Sequence, residues 1–399
     1  MNMTPIKKNT TVENLIESPN PHYNLTKDSL EEIWNSKFMQ DFRMKKIRGE
    51  YIKFCETCYQ QEENKIQSKR QTALKHYYDD NEHLIDEALK NNGIMTTMPV
   101  WWELRLSSIC NEACRMCIPQ TSSKMREEFS KFSNELPATF RKNTETAILN
   151  FNQFGYLGDN DFFIQQIYNN LENIKYLELH GGEPTNDKNL WNVVQHIVDT
   201  GHSGHIHIHV HTNIHALRRK HIDLWNQFKS GWIGVSIDAY GNENEYIRYG
   251  SDWTKIEENL KLLSHLGTHW DKFITSTVMV YNCCTMHRLA EWYINYTKNN
   301  NMTDLQWLCF PVTSPESMRP EHVPEGLRNN AVQLILDLKG THTILTDNTI
   351  DSVVKILTSK YIPRLESYKE LLAYTRILDQ KRNQNIVEIF PHFKEVFND

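Results

Sequence analysis

Trp101-Trp-Glu-Leu-Arg-Leu106, then Ser-Ser-Ile and Cys110-Asn-Glu-Ala-Cys114-Arg-Met-Cys117, sets three cysteines spaced C-x3-C-x2-C directly behind a strand-like apolar run. Three thiolates in one short loop suit three irons of a 4Fe–4S cube and leave the fourth iron open. Structural zinc, the competing occupant, takes four protein ligands in a closed tetrahedron. This loop offers neither a histidine nor a fourth cysteine. Outward from it, further strands are expected over 176–179, 205–210, 232–237, 274–281 and 305–310. Helices are expected between them over 162–171, 190–198, 216–228, 256–266 and 286–296. Such alternation predicts an α/β fold of βαβ units, six parallel strands by this count, with reactive groups at the C-terminal strand ends.

The composition allows that fold and excludes several others. The 399 residues are 39% hydrophobic and 24% charged, and the mean hydropathy is −0.61: one large domain, or a core with appendages. No apolar run approaches the ~18 residues of a membrane span, and Met1 to Thr11 has no apolar signal-peptide core. A cytoplasmic protein without a membrane partner is expected. With 44 basic and 50 acidic residues, net −6, no global field recruits nucleic acid. Only 15 glycines rule out collagen-like and low-complexity classes. Without a secretion signal, the eight cysteines point to metal or redox chemistry before disulfides.

Past the triplet, His180-Gly181-Gly182-Glu183-Pro184 closes the second expected strand. Glycine permits close backbone approach, and a carboxylate can accept from an ammonium group. His211-Thr212-Asn213 ends the third strand. Val235-Ser236-Ile237-Asp238-Ala239 ends the fourth, followed by Tyr246-Ile247-Arg248-Tyr249-Gly250, Trp253, Ile256, Asn259 and Leu260. Over about 99–312 this set resembles the radical S-adenosylmethionine (radical SAM) superfamily, and within it the proteins carrying SPASM or Twitch domains. The family commonly has glycine where Ala239 stands.

The resemblance implies a partial (β/α)6 radical SAM barrel with mainly helical N- and C-terminal extensions. It implies a 4Fe–4S cluster on Cys110, Cys114 and Cys117, and S-adenosylmethionine held by Gly181, Gly182, Glu183, Pro184, Ser236 and Arg248. The implied chemistry is reductive cleavage of the sulfonium to a 5′-deoxyadenosyl radical that abstracts hydrogen from a substrate. The implied partners are a low-potential electron donor of flavodoxin or ferredoxin type and a peptide or small-molecule substrate.

The N-terminal region, 1–98, carries a second resemblance. Asp28-Ser-Leu-Glu-Glu-Ile-Trp-Asn-Ser36, Cys55-x2-Cys58-Tyr59, Glu62 and Ser68-Lys69-Arg70 resemble a Twitch-like segment placed before the barrel. In relatives an upstream cysteine region completes an auxiliary iron–sulfur cluster. Here the 54 residues before Cys55 contain no cysteine, so a truncated or degenerate segment is expected. Cys55 and Cys58 read as its relic or as a zinc half-site. An auxiliary cluster would need help from Cys283, Cys284 or Cys309, which otherwise read as small buried hydrophobes. Locally, Ser29 with Glu32 forms a capping box for a helix striped by Leu30, Ile33, Trp34, Phe38 and Phe42. That helix ends at Gly49, with Arg43 to Arg48 as its solvated face. The first two dozen residues show no periodicity and are expected to be loose.

His205, His207, His209 and His211 alternate with Ile206, Ile208 and Val210, so on a strand all four share one face toward the barrel lumen. Substrate binding or proton transfer, a second metal site, and an ordinary polar lumen are the readings. His209 and His211, nearer the mouth, are the candidate substrate-facing pair, with Cys309 on the last strand. Trp101-Trp102 reads as a packing pair. Pro311, Pro315, Pro320 and Pro324 mark a loop, after which 313–399 is expected to form a helical cap with no visible chemistry. The rival to a radical SAM enzyme is a non-catalytic iron–sulfur or zinc protein, a degenerate homologue used as scaffold or carrier.

Overall fold

Alternating βα segments behind a short helical region dictate what the computed structural model describes over residues 23–63, 68–77 and 81–397. Of the stretch expected to be loose, 1–22 lie outside the described residues. The chain divides into two compact units, one of 1–100 with 160–173 and the other of 101–159 with 174–399.

The first unit is helical. Ser29 and Glu32 form the expected capping box over Leu30–Trp34. The single expected helix is broken at Asn35 and Ser36, because the Ser36 hydroxyl accepts from Met39 N and starts a new helix, Lys37–Ile47. A serine hydroxyl that bonds a backbone amide three residues on favours a cap over a helix interior. Arg43 is not on a solvated face. Its guanidinium lies 3.9 Å over the Trp34 ring and donates to the carbonyls of Trp34 and Gly93. Cys55 ends a short turn and Cys58 sits in the helix Glu56–Glu63. Ser68 and Arg70 both donate to Glu62.

The second unit is built on six parallel strands in sequential order: β1 (Trp101–Arg105), β2 (Tyr176–His180), β3 (His207–Thr212), β4 (Ser230–Ser236), β5 (Trp270–Val278) and β6 (Leu305–Pro311). The helices Lys188–Asp199, Arg219–Trp225, Trp253–Leu260 and Met286–Asn299 connect them. On β3 burial alternates, with Ile208 and Val210 inaccessible and the three histidines partly open. Residue pairs across a parallel ladder share a face, so His209, Trp232 and Asp271 line one row of the sheet's open side. His205 departs from expectation. It belongs to a turn, Ser203–His205, and pairing begins only where His207 N donates to Lys175 O, so three histidines share the strand face. β5 also begins four residues earlier than its apolar run. The run's end turns instead, because Asn282 Oδ1 accepts from Met279 N at 2.7 Å.

Two helices, Ser123–Ser130 and Ala138–Phe154, lie in the chain between β1 and β2. A two-residue antiparallel ladder pairs Ala113 with Tyr249 and Cys114 with Arg248. The helices after β6 belong to this same unit. Among the described residues no helix is long and apolar enough to cross a membrane.

Gly231 marks where the sheet is most tightly closed by a neighbour: a Cβ there would stand 2.3 Å from the Trp270 ring. Because a buried indole has little room to move, Gly231→Ala is expected to cost ~1–3 kcal/mol of stability by overpacking. A urea midpoint equal to that of wild type would refute the packing.

Candidate functional site

The site forms where β1, β2 and β3 end. After β1, the backbone of Ser107 to Ile109 runs against the Gly181-Gly182 turn. A Cβ on Gly182 would stand 2.1 Å from Ile109 O, and Gly181 holds φ +142, which disfavours a side chain. Glu183 N donates to Ile109 O at 2.7 Å. These glycines are thus needed to seat the cysteine loop on the end of β2.

Cys114 is buried and Cys110 and Cys117 half-buried, and all three are free thiols. Burial pushes Cys110 up to about 12, with the carboxylates of Glu112 and Glu183 and the neighbouring Cys117 adding to the rise. Burial raises Cys114 as well, with Glu112 adding and the Arg248 guanidinium opposing. Burial of this kind holds Cys110 and Cys114 protonated until a cationic centre favours the thiolates. Glu112, between the first two cysteines, is 1% exposed and is pushed by burial up to about 7. Its Oε1, and Nδ2 of adjacent Asn111, have no hydrogen-bond partner.

Arg248 meets this loop across the short ladder. Its Nη1 lies 3.8 Å from Cys114 Sγ and 3.6 Å from Glu112 Oε2, while Nε pairs with Asp238 at 2.8 Å. Asp238, just past β4, also accepts from Thr277 N at 2.7 Å. One buried cation thus serves two buried carboxylates and a thiol. Glu183 is 2% exposed and stitches strand ends. Its Oε1 accepts from the hydroxyls of Thr185 (2.7 Å) and Thr212 (2.6 Å), and Oε2 from Asn213 N at 2.7 Å. Burial raises Glu183 although these donors oppose it. With one backbone donor on Oε2, acceptor capacity remains there. Asn111 Oδ1 accepts from Asn186 and Asn213 at 2.9 and 3.0 Å, tying the same elements together.

The C-terminal helix Leu365–Arg382 clamps the loop from behind, a role the sequence reading missed in a segment taken to be chemically silent. Arg115, inside the cysteine motif, is fully buried. It donates to Asp379 at 2.6 Å, to Gln384 at 3.0 Å and to Tyr246 O at 3.0 Å, and lies 3.6 Å over the Tyr246 ring. Arg382 donates to Ala113 O at 2.9 Å and pairs with Glu128 at 2.8 Å. Tyr374 donates to Arg115 O at 2.9 Å. The spacing of these partners in the chain gave no local signal.

The remaining candidates divide. Pro184 is buried at the start of a short turn after Glu183. Ser236 ends β4 beside Thr275, on the open face. His211 stacks on His180, centroids 4.7 Å apart, and abuts Trp232 at 4.7 Å. His209 faces Trp232 at 6.1 Å, and burial lowers its pKa, favouring the neutral ring. Cys309, expected as a substrate-facing candidate, shares the buried row with Leu305 and Trp307, opposite the histidine face. Cys283 and Cys284 are buried after β5, sulfurs 3.9 Å apart. Cys55 and Cys58 are half-buried thiols of the first unit. A cleft of about 750 Å³ opens beside Cys110, lined also by Lys124, Arg126, Glu127 and Phe151.

A family model of the radical SAM superfamily matches residues 104–282. A model of the SPASM iron–sulfur cluster-binding domain matches residues 17–59. No curated protein matches the sequence. Among solved structures, native anSMEcpe with bound AdoMet and Cp18Cys peptide is 14% identical at TM-score 0.37, over 59% of this chain and 58% of that one. SuiB of Streptococcus suis is 13% identical at TM-score 0.38, over 79% of this chain and 60% of that one. TYW1 with a lysine-pyruvate adduct bound is 14% identical at TM-score 0.34, over 69% and 86%. The chain thus spans under two thirds of anSMEcpe and SuiB.

The clamp is testable. Removing Asp379 leaves Arg115 buried and uncompensated, so Asp379→Ala should lose ~3–5 kcal/mol, read as a lower urea midpoint. Asp379→Asn, which keeps an acceptor for Arg115, should lose less. Equal midpoints for wild type and the Ala variant would contradict the clamp.

Proposed function

We propose, from the radical SAM match over residues 104–282, that the chain is a radical SAM enzyme holding a 4Fe–4S cluster and S-adenosylmethionine where β1 to β4 end. Cys110, Cys114 and Cys117 would hold the cluster. The observation that carries this is the Gly182–Ile109 contact, which seats the cysteine loop directly on the Gly-Gly-Glu-Pro turn. The donor set fits: three thiols on one loop, with the unpartnered Asn111 Nδ2 and Glu112 Oε1 buried among them. When bound, the two cofactors supply one-electron cleavage of the sulfonium, and with it a 5′-deoxyadenosyl radical able to take hydrogen from a substrate.

The protein's own contribution is electrostatic and steric. Arg248 pairs with the buried Asp238 and Glu112 carboxylates, a charge-assisted arrangement strengthened by burial, and would face the Cys114 thiolate once the cluster is held. Glu183, fixed by Thr185 and Thr212, would present Oε2 to the cofactor ammonium, and Ser236 would contact its ribose. Gly181, Gly182 and Pro184 shape the turn beneath it. The open sheet face with His209, His211 and Trp232 would receive the substrate, a peptide or a small molecule, and keep it beside the radical. A flavodoxin- or ferredoxin-like donor in the cytoplasm would supply the electron. Cys55 and Cys58 would be the remnant of an auxiliary site.

Anaerobic reconstitution tests the reading. Wild type should carry about four irons per chain and release 5′-deoxyadenosine from S-adenosylmethionine after dithionite reduction. Cys114→Ala should do neither. A wild type that binds iron but forms no 5′-deoxyadenosine would favour the scaffold or carrier. Cys55→Ala with Cys58→Ala should retain the iron, since two thiolates alone do not hold a cube. A drop of about one cluster there, as counted by Mössbauer spectroscopy, would show that the pair serves a working auxiliary site.

A further inference from the structure

Besides the thiols, the described residues bring together one group with the composition of a metal centre. On β2, Glu178 and His180 are two residues apart and share a face. The β2–β3 register, with Glu178 beside His209 and Leu179 beside Val210, sets His180 next to His211. One ligand atom from each of Glu178, His180 and His211 lies within 4.8 Å of the others. Glu178 Oε1 stands 2.7 Å from His180 Nε2 and 3.5 Å from His211 Nε2. Ligand atoms ~2.1 Å from a tetrahedral zinc are ~3.4 Å apart, so small side-chain adjustments bring the three onto one ion.

We propose that Glu178, His180 and His211 form a mononuclear divalent-metal site on the open face of the sheet, distinct from the cysteine cluster. Two imidazoles and a carboxylate select borderline cations such as Zn²⁺ or Fe²⁺ over Mg²⁺ and Ca²⁺, which prefer all-oxygen cages. The surroundings fit a working site. The side chains are 10%, 20% and 35% exposed for Glu178, His180 and His211, buried enough to be ordered and open enough for an outside ligand. The Trp232 ring, 4.7 Å from the His211 ring, limits its rotation. Three protein ligands leave a coordination position for a substrate oxygen or nitrogen, the pattern of catalytic rather than closed structural sites. His180 directly precedes Gly181, so the ion would stand beside the proposed cofactor turn and could anchor a metal-chelating substrate there. Cation binding itself requires neither the cluster nor its chemistry.

Equilibrium dialysis of the full-length, cluster-reconstituted protein against Zn²⁺, with zinc and iron both counted, tests the site. Wild type should hold about one more zinc than either Glu178→Gln or His211→Asn, with iron unchanged in all three. The Cys55→Ala, Cys58→Ala variant should keep that zinc. X-ray absorption at the zinc edge of wild type needs no variant and should show imidazole scattering without sulfur neighbours. Equal zinc in wild type and both folded variants, or a zinc shell containing sulfur in place of imidazole, would overturn the site.

Discussion

Everything at the mouth of the sheet hangs on how closely two backbones approach. Ile109 O accepts from Glu183 N and sits where a Cβ of Gly182 would be. That contact joins the end of β1 to the end of β2. Glu183 then carries the join to β3 through Thr212 and Asn213, and Asn111 repeats it from the cysteine loop. The loop that would grip iron is thereby fixed to the turn that would grip the cofactor. Their relative position is set by the parallel ladder, whose geometry is rigid because its neighbours are close-packed.

Charge is the second organising element. Arg115, Arg248 and Arg382 are all at least nine-tenths buried, and each has a carboxylate partner. Buried pairs of this kind add little net stability but make any alternative packing expensive, since a lone buried charge is strongly disfavoured. Two of the three reach from the cysteine loop to the Leu365–Arg382 helix. The far end of the chain therefore fixes the geometry of a motif more than two hundred residues earlier. Low dielectric also makes these pairs less sensitive to salt than exposed ones.

The six strands could be read because each is a short apolar or alternating run bounded by polar or turn residues, and β3 showed its face through its histidines. Helix Ala138–Phe154 gave no such signal. Only Phe140, Thr144 and Ala147 are buried along its length, so its apolar stripe is thin. The cysteine triplet was legible from spacing alone. Its surroundings were less so: Glu112 stands within the motif and Asp238 within the Ser-Ile-Asp run, yet only the structure shows both meeting Arg248. Asp379 is further still from local inference, since a contact across 264 residues leaves no periodicity. Likewise Glu178 and His180 join His211 through strand register, which the sequence does not state.

The central claim is that Cys110, Cys114 and Cys117 leave one iron free for the cofactor that the Gly-Gly-Glu-Pro turn supports. The most direct measurement is the hyperfine spectrum of the dithionite-reduced protein with S-adenosylmethionine labelled with ¹⁵N at the amino group. A ¹⁵N coupling to the reduced cluster is predicted, replaced by a ¹⁴N coupling when unlabelled S-adenosylmethionine is used. A reduced cluster that shows no coupling to the labelled nitrogen under saturating cofactor would contradict it.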